Sequence, residues 1–308
     1  MSNKYGFFYR LYAWLYFLVR LQLESLENLL TNWGLKDCRK VATQLPTSLT
    51  GSSNFTVLIT GANSGIGKEC AKHFLALGAT KVIIACRDEA KAQTAIEELL
   101  KEVGDDKRKN LIFVKLDLSS LESVREAAAE ICQKIDHLDV LLNNGGVMMC
   151  PNGWKSVDGF EYQFATNYLG HFLLTHLLLD KLKAAPNARI VNLTSIALLA
   201  GQMDFESNFK HSQKDSFSTY AQSKLANHLF TVALAKRLKR FSSGVSVYSV
   251  HPGVIITELQ RHLDLVTYLS TSIQRWTAIS VQLGAQTSLH CALSQGPEVS
   301  SESGYYYE

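Results

Sequence analysis

Three glycines constrain this chain more than any other feature. Gly61, Gly65 and Gly67 stand between a short apolar, β-branched run, Phe55–Thr60, and a stretch of helical periodicity that continues through Leu77. Glycines there let backbone N–H groups close on a pyrophosphate at the positive end of the following helix. A glycine turn that holds no ligand is the plainer reading. Its placement after a strand and before a helix favours nucleotide binding, with Gly61, Ser64, Gly65, Ile66 and Gly67 as candidate cofactor contacts.

The same alternation continues along the chain. Lys81–Cys86, Leu111–Lys115, Val140–Asn143, Arg189–Leu193 and Ser246–Val250 read as further strands, and Gly304–Tyr306 as a last one. Between them, Glu89–Val103, Leu121–Ile135, Phe160–Leu182 and Tyr220–Phe241 read as helices, and Gly104–Asn110 as a hydrophilic turn. Strands alternating with helices predict an α/β fold, a single doubly wound parallel-sheet Rossmann domain over residues 54–308. Apolar residues make up 46% of the 308, enough for that core. A net charge of +3 without a Lys/Arg block argues against nucleic acid as a partner. Six cysteines scattered without a CxxC pair argue against a disulfide framework or a metal site, and fit a domain facing the cytosol.

The N-terminus has another character. Tyr5–Val19 is apolar and aromatic, interrupted only by Arg10 and bounded by Lys4 and Arg20. Leu11–Val19 is too short to span a bilayer, which takes about 20 residues. With Arg10 snorkelling, Tyr5–Leu23 just reaches. The density of Phe, Tyr and Trp suits a membrane interface. Residues 1–23 are therefore expected to be a membrane anchor segment, spanning or lying flat, with an ordinary docked helix as the other reading. Residues 24–53 read as a linker.

Candidate chemistry follows the strand ends. Arg87, just past the second strand, stands where a guanidinium would meet a 2′-phosphate, whereas an acid would hold the ribose hydroxyl of NAD. Lys68 offers a second positive charge, and Asp88 next door an opposing one. Asp117 and Asn144 follow the third and fourth strands, where doubly wound sheets bind ligands. Ser195, after the fifth, can donate a hydrogen bond to a reacting oxygen. Asn167, within the long helix, can tie Lys224 to solvent through a water. Tyr220 and Lys224 are four apart and share a helix face. A phenol of pKa ~10 is a poor base at neutral pH, and a neighbouring ammonium pulls it down. With twelve tyrosines in the chain, about one Tyr-x-x-x-Lys pair arises by chance, so alone it reads as a surface pair. Its order after the glycine loop and the polar strand ends makes the difference.

That ordered set resembles the short-chain dehydrogenase/reductases: Thr60-Gly-Ala-Asn-Ser-Gly-Ile-Gly67, Asn143-Asn-Gly-Gly146, Asn167, Ser195, Tyr220-x-x-x-Lys224 and His251-Pro-Gly253. Ala85-Cys-Arg-Asp88, Gly146-Val-Met-Met-Cys-Pro151 and Asn167-Tyr-Leu-Gly-His-Phe-Leu-Leu-Thr175 are similar to the microsomal retinol dehydrogenase branch. The likeness runs from about Phe55 to Tyr307. It implies Tyr220 as general acid/base, and Lys224 as the group that lowers its pKa and holds the nicotinamide ribose. It further implies that Ser195 orients the substrate oxygen and that Asn167 completes a proton relay. Pro252, Gly253 and Thr257 would help hold the cofactor, and Arg87 would select NADP(H). The implied reaction is hydride transfer between NADP(H) and a retinoid or similar lipid, with retinal reduction favoured where NADPH dominates. The implied setting is the endoplasmic reticulum membrane with a cytosol-facing domain, in a possible homodimer.

Two departures stand out. Gly146 replaces the family's usual alanine, in what reads as a turn near the adenine. The sequence also ends at Glu308, just after the last strand, where relatives continue, which leaves stability and substrate choice open. Apolar residues such as Leu198, Leu199, Phe205, Leu265 and Tyr268 suit a bulky lipid without separating a retinoid from a hydroxysteroid or polyprenoid. A catalytically weak membrane-bound binding protein is the alternative of another class.

Overall fold

The computed structural model describes residues 15–23, 54–206, 209, 215–241, 243–255, 259, 278–294 and 302–308. Seven strands form one sheet: β1 (Thr56–Thr60), β2 (Lys81–Cys86), β3 (Leu111–Lys115), β4 (Val140–Asn143), β5 (Arg189–Leu193), β6 (Ser246–Val250) and β7 (Tyr306–Tyr307). Their order is β3-β2-β1-β4-β5-β6-β7, and every neighbouring pair is parallel. The chain reverses its direction of travel between β1 and β4, which opens a crevice at the carboxyl ends of those strands.

Parallel strands are covered on both faces, so their residues are apolar throughout and alternate between two cores. In β1, Val57 and Ile59 face one way, toward Phe74 and Leu75 of α2 (Gly65–Ala76), Leu99 of α3 (Glu89–Val103) and Leu289 of a later helix. Leu58 faces the other way, toward Ile131 of α4 (Leu121–Lys134). The long helix expected over 160–182 is broken: α5 (Tyr162–Phe164), a π turn (Ala165–Leu169), α6 (Gly170–Leu177) and α7 (Leu179–Ala184). In the π turn the Gly170 N–H reaches back five residues to the Ala165 carbonyl. α8 (Ser216–Arg240) starts four residues before Tyr220, because Asp215 caps it by accepting from the Ser218 N–H at 2.9 Å. The turn expected at 104–110 is a 3-10 helix, Asp105–Asn110. A further helix, α9 (Val281–Leu293), was not foreseen. Gly284 makes its packing possible, since a Cβ there would lie 1.8 Å from Ile255 Cδ1.

Residues 15–23 are helical (α1) and rest on the domain through Phe17, whose ring lies 5.7 Å from that of Phe217 in the first turn of α8. Arg20 forms an ion pair with Glu308. Leu15, Tyr16, Leu18, Val19 and Leu23 are exposed. Among the described residues no helix is long and apolar enough to cross a membrane. The expected linker, and the part of the anchor before residue 15, lie outside the described residues.

Candidate active site

The crevice at the switch point is a cleft of about 690 Å³. One end is the glycine loop. Gly61 and Gly65 adopt left-handed φ values of +65° and +55°, which L side chains rarely tolerate. A Cβ on Gly61 would approach Gly145 Cα to 2.8 Å. Ser64 ends the loop as N-cap of α2 without a side-chain capping bond, leaving the first-turn amides directed at the cleft. Gly67, expected among the cofactor contacts, does not line the cleft. It packs beneath the loop, where a Cβ would sit 2.5 Å from Asn144 Nδ2. That nitrogen braces the loop by donating to the Thr60 carbonyl at 2.8 Å.

Gly61, Ser64, Gly65, Ile66, Arg87, Asp117, Asn144, Ser195, Tyr220, Lys224, Pro252 and Gly253 all line this one cleft. Thr257 lies outside the described residues. Arg87 Nη1 donates to the Tyr162 hydroxyl at 3.1 Å. The Asp88 carboxylate is committed elsewhere, accepting from the Lys91 N–H at 3.0 Å to cap α3. The second positive charge expected, the Lys68 ammonium, pairs with Glu98 on α3. Asp117 accepts from the backbone N–H and hydroxyl of Ser119 at 2.9 and 2.6 Å, so its carboxylate shapes the rim.

At the other end Tyr220 and Lys224 lie one turn apart on α8, both buried (4% and 5% exposed), which rules out a surface pair. The helix is tied to β5 by the Thr194 hydroxyl, which donates to the Lys224 carbonyl at 2.8 Å. Lys224 Nζ donates to the Leu193 carbonyl at 3.1 Å and stands 5.6 Å from the centre of the Tyr220 ring. Burial pushes the Lys224 ammonium down to about 8. Burial also pushes the Tyr220 phenol up to about 12, against a hydrogen bond with Ser195 that works the other way. Desolvation, rather than the pull of the neighbouring ammonium expected from sequence, sets the direction of the phenol's shift. Ser195 is fixed by its own turn, its Oγ accepting from the Ala197 N–H at 3.2 Å.

Asn167 sits in the π turn, outside the cleft lining, with its side chain fully engaged. Nδ2 donates to the Val147 carbonyl and to Ser223 Oγ, both at 2.9 Å, and Oδ1 accepts from the Val147 N–H at 2.8 Å. Gly146 is not in an adenine turn. A Cβ there would lie 3.2 Å from Asn167 Oδ1 and 3.8 Å from Lys224 Nζ, so it borders the reacting end. Sequence reasoning passed over Tyr162 and the pair Thr60 and His171, which hydrogen bond at 2.8 Å. His171 lies four residues after Asn167, a helical spacing that was available as a signal. Tyr162 carried none.

The geometry is a glycine-lined cradle joined to a buried phenol, ammonium and hydroxyl, an arrangement suited to holding a nucleotide and moving one proton. The chain is also similar to known proteins. The short chain dehydrogenase family model matches residues 55–265. Human retinol dehydrogenase 13 is 44% identical, the match covering 82% of this chain and 76% of the relative. Human retinol dehydrogenase 11 is 45% identical over 80% of this chain and 74% of its own. An NADPH-bound carbonyl reductase from chicken fatty liver superposes with a TM-score of 0.61 at 25% identity, covering 82% of this chain and 96% of its own. The chain belongs to the short-chain dehydrogenase/reductase superfamily, in its retinol dehydrogenase-like branch.

Proposed function

We propose that the protein is an NADP(H)-dependent oxidoreductase that interconverts a lipid alcohol and its carbonyl, with retinol and retinal as the pair and retinal reduction as the direction where NADPH dominates. The observation that carries this is the cleft itself: a glycine cradle at one end, buried Tyr220, Lys224 and Ser195 at the other. A bound nicotinamide coenzyme supplies or accepts the hydride. The first-turn amides of α2 would hold its pyrophosphate, with Gly61 and Gly65 giving the backbone room to approach. Arg87 would meet a 2′-phosphate, since Asp88 is spent on its helix cap. Pro252, Gly253 and Thr257 would close the nicotinamide side.

Tyr220 would give its proton to the carbonyl oxygen in reduction and take it from the hydroxyl in oxidation. Ser195 would align that oxygen. The Lys224 charge would offset the burial that holds the phenol near 12. Asn167 would act behind them in the proton path. Retinoid as substrate rests on the relatives, which are retinol dehydrogenases. Exposed apolar side chains on residues 15–23, a helix seated on Phe217 near Tyr220, support membrane association, for which the cytosolic face of the endoplasmic reticulum is the proposed site. Exposed Phe172, Leu177 and Leu229 on α6 and α8 support a homodimer.

The test is NADPH oxidation by the purified protein in detergent, across all-trans-retinal, a ketosteroid and a polyprenal. Retinal is expected to turn over, and Tyr220→Phe to lose roughly 10²–10⁴-fold of that activity. Equal activity in the variant would remove the tyrosine from the chemistry, and turnover of the steroid or polyprenal alone would reassign the substrate. In Arg87→Asp the KM ratio should swing toward NADH. An unchanged ratio would sink the NADP(H) assignment.

A further inference from the structure

His171 is a polar side chain with no role in the chemistry above, and it is almost wholly buried, at 3% exposure. Its Nδ1 lies 3.0 Å from the Asn167 carbonyl oxygen and its Nε2 lies 2.8 Å from Thr60 Oγ1. Burial, with the positive Lys224 nearby as a lesser cause, pushes the imidazole down to about 4, so it is neutral at physiological pH. A neutral imidazole has one donor and one acceptor. A carbonyl only accepts, so Nδ1 carries the proton and Nε2 is the acceptor. The Thr60 hydroxyl must then donate to Nε2 rather than to the Leu142 carbonyl, which is 3.5 Å away. Its lone pairs are left to accept the backbone N–H groups of Asn144 at 3.0 Å and Gly145 at 2.8 Å. Every proton in the series is assigned by this elimination.

A histidine bonded to the carbonyl four residues back is ordinary helix behaviour. The second contact makes it a bridge. On one side stands the π turn, whose Asn167 is bonded to Ser223, the residue before Lys224. On the other stand Asn144 and Gly145, which line the cleft. We propose that His171 is a positioning residue: one imidazole, held in its Nδ1–H tautomer, ties the helix turn behind Tyr220 and Lys224 to the loop after β4 that walls the coenzyme cleft. The two ends of the site are thereby set against each other through Asn167, His171, Thr60 and the Asn144–Gly145 amides.

The inference rests on the reading that the cleft holds a nicotinamide coenzyme, and its tests separate the two. Nitrogen NMR of histidine-labelled protein without coenzyme should show His171 with a protonated Nδ1 and a bare Nε2 at pH 7. An Nε2–H tautomer or a charged ring would overturn the bridge whatever the protein binds. NADPH affinity, followed by fluorescence titration, and kcat are then measured for His171→Asn, Thr60→Val and the double variant. His171→Asn places an amide near Nδ1 but not near Nε2. Each single change should weaken NADPH binding roughly 2- to 10-fold, the cost of one hydrogen bond, and lower kcat as well. The double variant should be little worse than either, because both break one chain. Independent, multiplying effects, or a fall in melting temperature with affinity and kcat unchanged, would leave His171 a packing residue only.

Discussion

On one side of the switch point, β1–β3, α2 and α3 meet through Val57, Ile59, Phe74, Leu75, Ile84 and Leu99, apolar side chains fully shielded from solvent. On the other side, β4, β5, α6 and α8 also meet through a chain of amides and hydroxyls. Asn143 Nδ2 donates to Thr175 Oγ1 at 2.9 Å and to Asn192 Oδ1 at 2.8 Å. Asn192 Nδ2 donates to Thr231 Oγ1 at 2.8 Å, and that hydroxyl to the Asn227 carbonyl at 2.9 Å. Apolar contact has no direction and tolerates small slips between layers. A buried hydrogen bond fixes distance and rotation, and a half-broken network costs more than it contributed. The half that carries the glycine cradle is packed. The half that carries Tyr220 and Lys224 is also bonded in place.

This contrast can be broken from either side. Phe74→Ala opens a cavity among α2, β1 and Phe55 and should cost about 3–5 kcal/mol of unfolding free energy. Where the variant is folded, kcat should stay near wild type, and a kcat loss beyond a few-fold would erase the distinction. The pH dependence of stability comes next. The folded state holds His171 neutral down to about 4, while the unfolded chain binds its proton near 6.5. Unfolding therefore takes up a proton in that window, so stability falls as pH drops from about 6.5 to about 4 and the slope from this group then vanishes. The loss should be on the order of 2–3 kcal/mol relative to His171→Asn, read by urea denaturation across that range. Parallel curves would show the imidazole less shielded than the fold implies. The smallest effect is Asn192→Ala, at about 1–3 kcal/mol, since Asn143 and Thr231 each keep a second partner. Here kcat should fall by more than the stability loss alone would give. Wild-type kcat would mean the network is mere filling.

Legibility followed the same division. Strands β2 to β6 and helix α3 fall where apolar runs and charged periodicity placed them, because packing writes a repeating pattern. The glycine cradle and the strand-end residues were readable because the switch point gathers them to one edge. The hydrogen-bonded half hid more. Nothing in Phe160–Leu182 marks the π turn, within which Asn167 makes its bonds to Val147 and Ser223. Tyr162 reaches Arg87 from 75 positions away, a partnership without local signature. α9 was missed because small residues, Gly284, Ala285, Ser288 and Ala292, are among those it buries, leaving its apolar face faint. Burial also reversed one chemical expectation, since sequence showed the ammonium beside Tyr220 but not the loss of water around both groups.

The π turn at Ala165–Leu169 has a consequence for how the gene can change. A turn of this kind is a helix carrying one residue more than its neighbours need. Deleting a single codon within it would let α5 and α6 merge into an unbroken α-helix, which leaves each strand and most of the core able to form. Because the turn absorbs the extra residue, the helices on either side of it would keep their facing, whereas the same deletion in α3 would rotate all that follows by about 100° and carry its apolar stripe off the core. What a deletion within the turn would remove is the local spacing by which Asn167 reaches Val147 and Ser223 while His171 reaches Thr60. A one-residue deletion there would yield a folded protein with a loosened site end, and in α3 a threatened core.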